Sequence, residues 1–250
     1  FIPNGLKTLE DLGWRVGQGL RTGGNRFFYC ECVESGHGTD LVQVDRLLGS
    51  ALIQVPSGLL RSVLRKQADL GNHVSQTKSS GRVFWLSDHA LPEDAEAARV
   101  LLGREVYLSI PEPVAEHIRN SATTDVGNAG SPRRIPELSA VRTNVRTHDP
   151  SRPEKPPRFW YQLPQLMSRH TPDLLVPRVN HLHPRALANP NHMIVDANFS
   201  TLWPTTAESL GYHTLIAVLN SSWSTASLEC LGTALAGGAL KLEATHIRRL

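Results

Sequence analysis

The residues whose types suit catalysis or metal binding stand at spacings that argue against both. Cys30-x-Cys32 with His37, and His181-x-His183 with His192, supply thiols and imidazoles. Structural zinc takes a tetrahedral ligand set with wider pair spacing, whereas one-residue spacing places each pair on one face of a strand. Gly17-Gln18-Gly19, followed by Gly23 and Gly24, has the glycines of a phosphate loop. It does not open a helix after an apolar strand with an acidic residue beyond it, as a dinucleotide loop must. There is no Walker loop, Gly-x-Ser-x-Gly elbow or His-Glu-x-x-His motif. Asp and Glu are scattered without a close pair in apolar surroundings, so no general acid–base couple is read. No catalytic residue, cofactor-binding residue or metal ligand is assigned.

The informative charge is cationic. Lys+Arg 26 against Asp+Glu 23 gives a formal net charge of +3 over 250 residues, an excess that permits an anionic partner. Between residues 123 and 157 apolar periodicity fades and Gly, Pro, Ser, Thr and Arg dominate. From there to residue 158, Arg133, Arg134, Arg142, Arg146, Arg152, Lys155 and Arg158 face Asp125, Glu137, Asp149 and Glu154. Two readings stand: a solvated linker, or a basic arm over a phosphate backbone. The odd count of 3 cysteines suits a reducing compartment, hence the cytoplasm. No apolar run is long enough to span a membrane, and no secretory signal leads the chain. Phe1-Ile2-Pro3-Asn4-Gly5 at the start, in place of Met, reads as a piece of a longer polypeptide.

Around these residues the elements follow from period and punctuation. Trp14 to Val33 reads as strand, turn, strand, with Phe27 to Val33 of strong β propensity and Gly23-Gly24-Asn25 supplying the positive φ of a tight turn. Ala51 to Val55 and Arg82 to Leu86 read as strands. Ser57 predicts the N-cap of a helix with Leu59, Leu60, Val63 and Leu64 on one face. Pro92 opens and Gly103 closes a second helix, and Pro113 to Ser121 is another. Asp173 to Val179 reads as a buried strand broken by Pro177, and His192 to Phe199 as a further strand. Glu208 to Leu219 and Ser224 to Ala236 read as helices, followed by a Gly237-Gly238 turn and a short strand. The fold class is therefore mixed α/β (α+β): a twisted sheet toward the N-terminus and a helix-rich C-terminal part. The divisions fall at 1–122, a basic loop or linker at 123–157, and 158–250.

The order of motifs resembles one family. Gly19-Leu20-Arg21-Thr22-Gly23-Gly24-Asn25-Arg26-Phe27-Phe28-Tyr29 resembles the G-x-x-T-G-x-N-x-F-y segment that follows the catalytic domain in N6-adenine DNA methyltransferases of restriction-modification systems. Trp160-Tyr161 and Leu174-Leu175-Val176-Pro177-Arg178 are similar to their later W-Y and l-l-v-P-r segments. Leu219-Asn220-Ser221 and Gly237-Gly238-Ala239-Leu240-Lys241-Leu242 are similar to their closing L-N-S and G-G-G-x-l-K-l segments. The resemblance spans nearly the whole chain in order. It implies a target recognition domain, the module that reads DNA sequence; related modules occur in type I specificity subunits. The catalytic part of such enzymes holds S-adenosylmethionine and stacks a flipped adenine on an Asn/Asp-Pro-Pro-aromatic motif. Here the only Asn-Pro is Asn189-Pro190, followed by Asn191-His192. S-adenosylmethionine is thus expected in the parent enzyme, bound by a methyltransferase domain of the same polypeptide, with no cofactor in this chain.

A recognition module places Arg and Lys on phosphates and a few polar side chains on base edges. By residue type and reach the candidates are Arg21, Thr22, Asn25 and Arg26 on the glycine turn, the alternative being a tight turn alone; Arg178 and Asn180, the alternative being a structural loop cap; and Lys241 in the closing segment, the alternative being a solvated face. The partner expected is double-stranded DNA, with no membrane. The alternative is a protein-interaction domain whose small-residue helices, near Ser224 to Ala236, pack on a partner or on the catalytic domain.

Overall fold

Short strands and helices, joined by long irregular segments, make up the described part of the chain, residues 7–49, 52–70, 79–127 and 131–250 of a computed structural model. In order, β1 (Trp14–Gln18) leads to the single-turn helix α1 (Asn25–Phe28), then β2 (Tyr29–Ser35), β3 (Thr39–Gln43), β4 (Leu52–Pro56) and β5 (Leu60–Leu64). β6 (Gly81–Phe84), β7 (His89–Ala90), α2 (Pro92–Leu102), β8 (Leu108–Ser109), α3 (Glu112–Thr123) and the short α4 (Ser139–Arg142) follow. The remainder comprises β9 (Leu174–Pro177), β10 (Val179–Asn180), β11 (Leu187–Ala188), β12 (Ile194–Val195) and β13 (Phe199–Pro204). It ends with α5 (Tyr212–Leu219), α6 (Ser222–Leu231), β14 (Thr233–Ala234), β15 (Leu240–Lys241) and α7 (Ala244–Ile247). The class is mixed α/β.

Contacts group the chain into two units, one from residues 1–21, 63–79 and 166–250, the other from 22–62 and 80–165. The first is built on the antiparallel sheet β1-β13-β9-β11. Side chains alternate across a strand, and here both faces are covered. Val16, Leu174, Val176 and Leu202 pack with Leu215, Leu219 and Leu228 of α5 and α6. Leu175, Leu187 and Phe199 pack with Leu64 and Val195. Double burial explains the unbroken apolar run at Leu174-Leu175-Val176, which a one-sided strand would not have. The Asn220-Ser221-Ser222 stretch joins α5 to α6. Asn220 clasps the backbone of Ala186, accepting its N–H at 2.7 Å and donating to its carbonyl at 3.0 Å. Ser221 caps α6 by accepting the Ser224 N–H at 3.2 Å. Gly237 and Gly238, at φ 79° and 76°, turn the chain into β15, which pairs with β10 and β14.

In the second unit Leu60–Ser62 of β5 pair with β6, and β6, β2, β3 and β4 continue the sheet antiparallel. Helix α3 buries Val114, Ala115 and Ile118. Its His117 ring stacks on Phe27 at 5.3 Å, and Phe27 lies 5.9 Å from Phe84 and 4.8 Å from Trp160. Burial holds the His117 imidazole neutral, lowering its pKa from 6.5 to about 4. A depressed histidine pKa gives stability that is complete above about pH 6.5 and is lost as pH falls toward 4. His117→Phe keeps an aromatic ring and removes the titration. The variant is expected to lose about 2 kcal/mol less than wild type between pH 7 and pH 5, read by urea denaturation at both values. Equal losses would contradict this.

Tyr161 performs a task its sequence motif does not reveal. Its hydroxyl accepts the Leu91 N–H at 3.0 Å and donates to Asp94 Oδ2 at 2.6 Å. Leu91 is the N-cap of α2, so the phenol stands between the cap N–H and the carboxylate of the first turn, two groups that join directly in a capping box. Burial, then the Asp94 carboxylate, raises the Tyr161 pKa, and burial raises that of Asp94. Tyr161→Phe leaves the buried Leu91 N–H and the half-buried Asp94 carboxylate without their bond and is expected to lower stability by about 1–2 kcal/mol. A change below measurement error would contradict the bridging role.

Several sequence expectations hold and others fail for definable reasons. Helix α2 runs from Pro92 to Leu102 and ends on Gly103 at φ 67°, as its end signals predict. Gly23 takes φ 78°. Phe27 and Phe28, read as strand, lie in α1, because the tight turn continues into a helical turn before β2 begins. The predicted helix from Ser57 is a 3-10 turn, Ser57–Leu59, and then β5. Leu60, Val63 and Leu64 satisfy either period, and pairing with β6 and β12 decides for the strand. The strand expected over His192 to Phe199 is interrupted where the Asp196 carboxylate accepts the Asn198 N–H at 2.8 Å, an Asx turn. The helix expected to reach Ala236 ends at Leu231, where Gly232 admits the Leu240 side chain and Thr233–Ala234 pair with β15. Ala51, placed at the start of a strand, lies outside the described residues.

Candidate nucleic-acid interface

The glycine turn ahead of β2 is built to hold its tip at a fixed attitude. Thr22 is fully buried. Its hydroxyl donates to Asn25 Oδ1 at 2.7 Å and accepts the Gly24 N–H at 3.3 Å, while its carbonyl accepts Asn144 Nδ2 at 3.0 Å. Thr22 therefore positions the turn and has no surface to offer. Asn25 and Arg26 are exposed. Asn25 keeps its Nδ2 donors and one Oδ1 lone pair for a partner. The side chain of Arg26 is 50% exposed, with Asp45 Oδ2 at 3.4 Å.

The turn is seated against a segment that follows it by more than a hundred residues. A methyl group on Gly24 would lie 3.1 Å from Val141 Cγ2 and 3.2 Å from Ile135 Cγ2. One on Gly23 would lie 2.6 Å from the carbonyl carbon of Ala140. Ile135 and Val141 are themselves buried. The basic stretch is thus held within the second unit by the same contacts that seat the turn.

Its arginines divide by what they bond. Arg146 donates from Nε and a terminal nitrogen to the Pro156 carbonyl at 3.0 and 2.7 Å. Arg158 donates to the Asn144 carbonyl, and the two arginines pair through their backbones. Burial, then the neighbouring Arg146 charge, lowers the Arg158 pKa. Both are occupied in closing the loop. Arg133, Arg134, Arg142, Arg152 and Lys155 are exposed. Among the described residues no acidic side chain stands within ion-pair distance of any of them. Two acids bond the backbone of this group: the Glu137 carboxylate accepts the Arg134 N–H at 2.9 Å, and the Asp125 carboxylate accepts the Gly127 and Arg133 N–H groups at 2.8 Å each, bonds that with the Arg134 charge lower its pKa. A set of solvated guanidinium groups on a braced backbone can take phosphate oxygens in pairs.

The other residues assigned from the sequence fall in the first unit. Arg178, Asn180 and Lys241 come together there, since Val179 pairs with Lys241 and Asn180 with Leu240. Their charges are answered locally. Glu243 lies 2.7 Å from both Arg178 and Lys241, which hold its carboxyl below the usual range, Lys241 foremost. Arg178 also donates to the Ala197 carbonyl at 3.1 Å, and buried Asn180 donates to the Pro177 carbonyl at 2.8 Å. Arg248 donates twice to the Val16 carbonyl. Arg21 is exposed and has no polar partner among the described residues.

Cys30, Cys32 and Cys230 are not joined in disulfides. Among the described residues no group of His, Cys, Asp or Glu is arranged to hold a metal ion, and no helix is long and apolar enough to cross a membrane. The bracing residues Asn144, Arg146 and Arg158 escape sequence reasoning, because an arginine bound to a carbonyl looks in sequence like one bound to water. No protein-family model matches the chain, and no curated protein matches it at significant similarity.

Proposed function

We propose that this chain is a sequence-specific double-stranded DNA recognition module of a cytoplasmic N6-adenine DNA methyltransferase of a restriction-modification system. Its partners in this reading are duplex DNA and a catalytic domain of the same polypeptide that binds S-adenosylmethionine. One observation carries the reading: the Thr22–Arg26 turn is seated on the segment that exposes the side chains of Arg133, Arg134 and Arg142, none of which forms an ion pair among the described residues. Phosphate-directed cations and a polar turn able to reach base edges are the two contact classes a reader needs. In this reading Asn25 and Arg21 contact base edges and Arg26 joins the phosphate set. The first-unit residues Arg178, Asn180 and Lys241 brace the closing strand. The order of the T-G-x-N, W-Y, P-r and L-N-S segments supports the same family.

The test is a fluorescence-anisotropy titration of a labelled duplex with the 250-residue chain over a series of salt concentrations. Phosphate contacts release counterions, so log affinity is expected to fall linearly with log salt, with a slope of roughly −0.9 per contact. A flat response, or no binding at low salt, would overturn the reading. Stable self-association without a DNA complex would favour a protein-interaction domain instead.

A further inference from the structure

The loop between Arg146 and Arg158 is closed by a single antiparallel bridge, and both residues of that bridge are arginines. They exchange both backbone hydrogen bonds, at 2.9 and 2.8 Å. Residues opposed in this way lie about 5.5 Å apart at Cα and carry their side chains on the same face. Like charges directly opposite each other destabilise a strand pair. Both side chains are partly buried, and burial, followed by the Arg146 charge, lowers the Arg158 pKa. Among the described residues no carboxylate stands within ion-pair distance of either arginine.

Closing the loop occupies only one edge of each guanidinium. Arg146 donates from Nε and Nη2 to the Pro156 carbonyl, which leaves Nη1. Arg158 donates from Nε to the Asn144 carbonyl, which leaves Nη1 and Nη2. Tyr107 stands beside the pair. Its hydroxyl donates to the Pro157 carbonyl, its ring lies 5.7 Å from that of Phe159, and both arginine charges oppose the rise that burial gives its pKa. Asp88 also acts on Tyr107, but it forms no ion pair with either arginine. A carbonyl needs only an N–H donor, which a neutral amide would supply. Two positive charges held on one face therefore cost the loop stability unless an anion answers both. Local rules broken in this way are expected at functional sites. Paired guanidinium groups with N–H donors to spare match an oxyanion that accepts several hydrogen bonds.

We propose that Arg146 and Arg158 together bind a phosphate group through Arg146 Nη1 and Arg158 Nη1 and Nη2. The site lies within the second unit, and the proposal does not rest on the reading that the chain binds DNA. Isothermal titration calorimetry of the 250-residue chain with sodium phosphate, at fixed ionic strength, tests it. Wild type is expected to bind one phosphate per chain, saturating in the low millimolar range or below. Arg146→Lys and Arg158→Lys keep the charge and a donor for the loop carbonyl but lose the forked N–H groups. Each is expected to bind phosphate at least about tenfold more weakly. Arg99→Ala removes an exposed arginine paired with Glu96 and is expected to bind as wild type does. Repeating the titration with a duplex lacking terminal phosphates identifies the source of the group. Loss of phosphate binding in its presence assigns the site to a backbone phosphate, and unchanged binding assigns it to free phosphate or a small phosphomonoester. No saturable binding by wild type would overturn the proposal, and this result does not depend on how the variants fold. Binding by both lysine variants as tight as that of wild type, or an equal loss in Arg99→Ala, would also overturn it.

Discussion

Gly23→Ala is expected to destabilise the second unit by about 3 kcal/mol or more and to abolish duplex binding with it. Two effects combine. Gly23 sits at φ 78°, where an L side chain is strained, a penalty of about 1–2 kcal/mol. The added methyl would also meet the Ala140 carbonyl carbon at 2.6 Å, its oxygen at 2.7 Å and the Val141 nitrogen at 2.8 Å. All three are backbone atoms and cannot swing away as a side-chain tip would. Gly103→Ala is the control, because Gly103 has φ 67° and no neighbour within 4 Å of its would-be Cβ. It is expected to cost only the strain, about 1 kcal/mol. Urea denaturation of the two variants separates overlap from strain. A Gly23→Ala variant as stable as Gly103→Ala would mean that the turn is not held against α4.

Replacing Arg133, Arg134 and Arg142 together by alanine is expected to weaken duplex binding roughly 100-fold near 0.1 M salt and to reduce the salt slope by about 2 to 3. The magnitude follows from three charge-assisted hydrogen bonds of about 1 kcal/mol net each. All three side chains are exposed and free of ion pairs among the described residues, so folding stability should change by less than about 0.5 kcal/mol each. The matched control is Arg178→Ala, which removes a cation already paired with Glu243. That substitution is expected to lower stability more than affinity. If the triple variant binds as tightly as wild type, the phosphate contacts lie elsewhere.

Local chemistry was legible where an element carries its own end signals. Pro92 and Gly103 bound α2 in sequence and in structure, and Gly23 announces its positive φ. Leu59 to Leu64 could not be assigned from pattern alone, since the deciding partners, β6 and Ile194–Val195, lie far along the chain. The same limit governs the candidate site. Thr22, Asn25 and Arg26 stand out because a glycine turn with polar residues is a local feature. Their seat on Ile135, Ala140 and Val141 is a matter of shape between distant segments, and no period in the sequence encodes it. Charge was legible only as a total. Which arginines close a loop (Arg146 and Arg158) and which face solvent (Arg133 and Arg142) depends on carbonyls brought near by folding. The Asn220-Ser221 motif gains a physical role of the same kind: Asn220 ties α5 to the Ala186 backbone, a contact 34 residues away.

Sequence-specific reading of duplex DNA is tested most directly by selection. A pool of duplexes with a randomised core is incubated with the 250-residue chain, and bound molecules are recovered, amplified and sequenced over successive rounds. The expected result is enrichment of one short recurring sequence, lost when the Arg133, Arg134 and Arg142 triple variant is used and relaxed at one or two positions by Asn25→Ala. Recovery of unenriched duplexes at the last round, or of none, would contradict it.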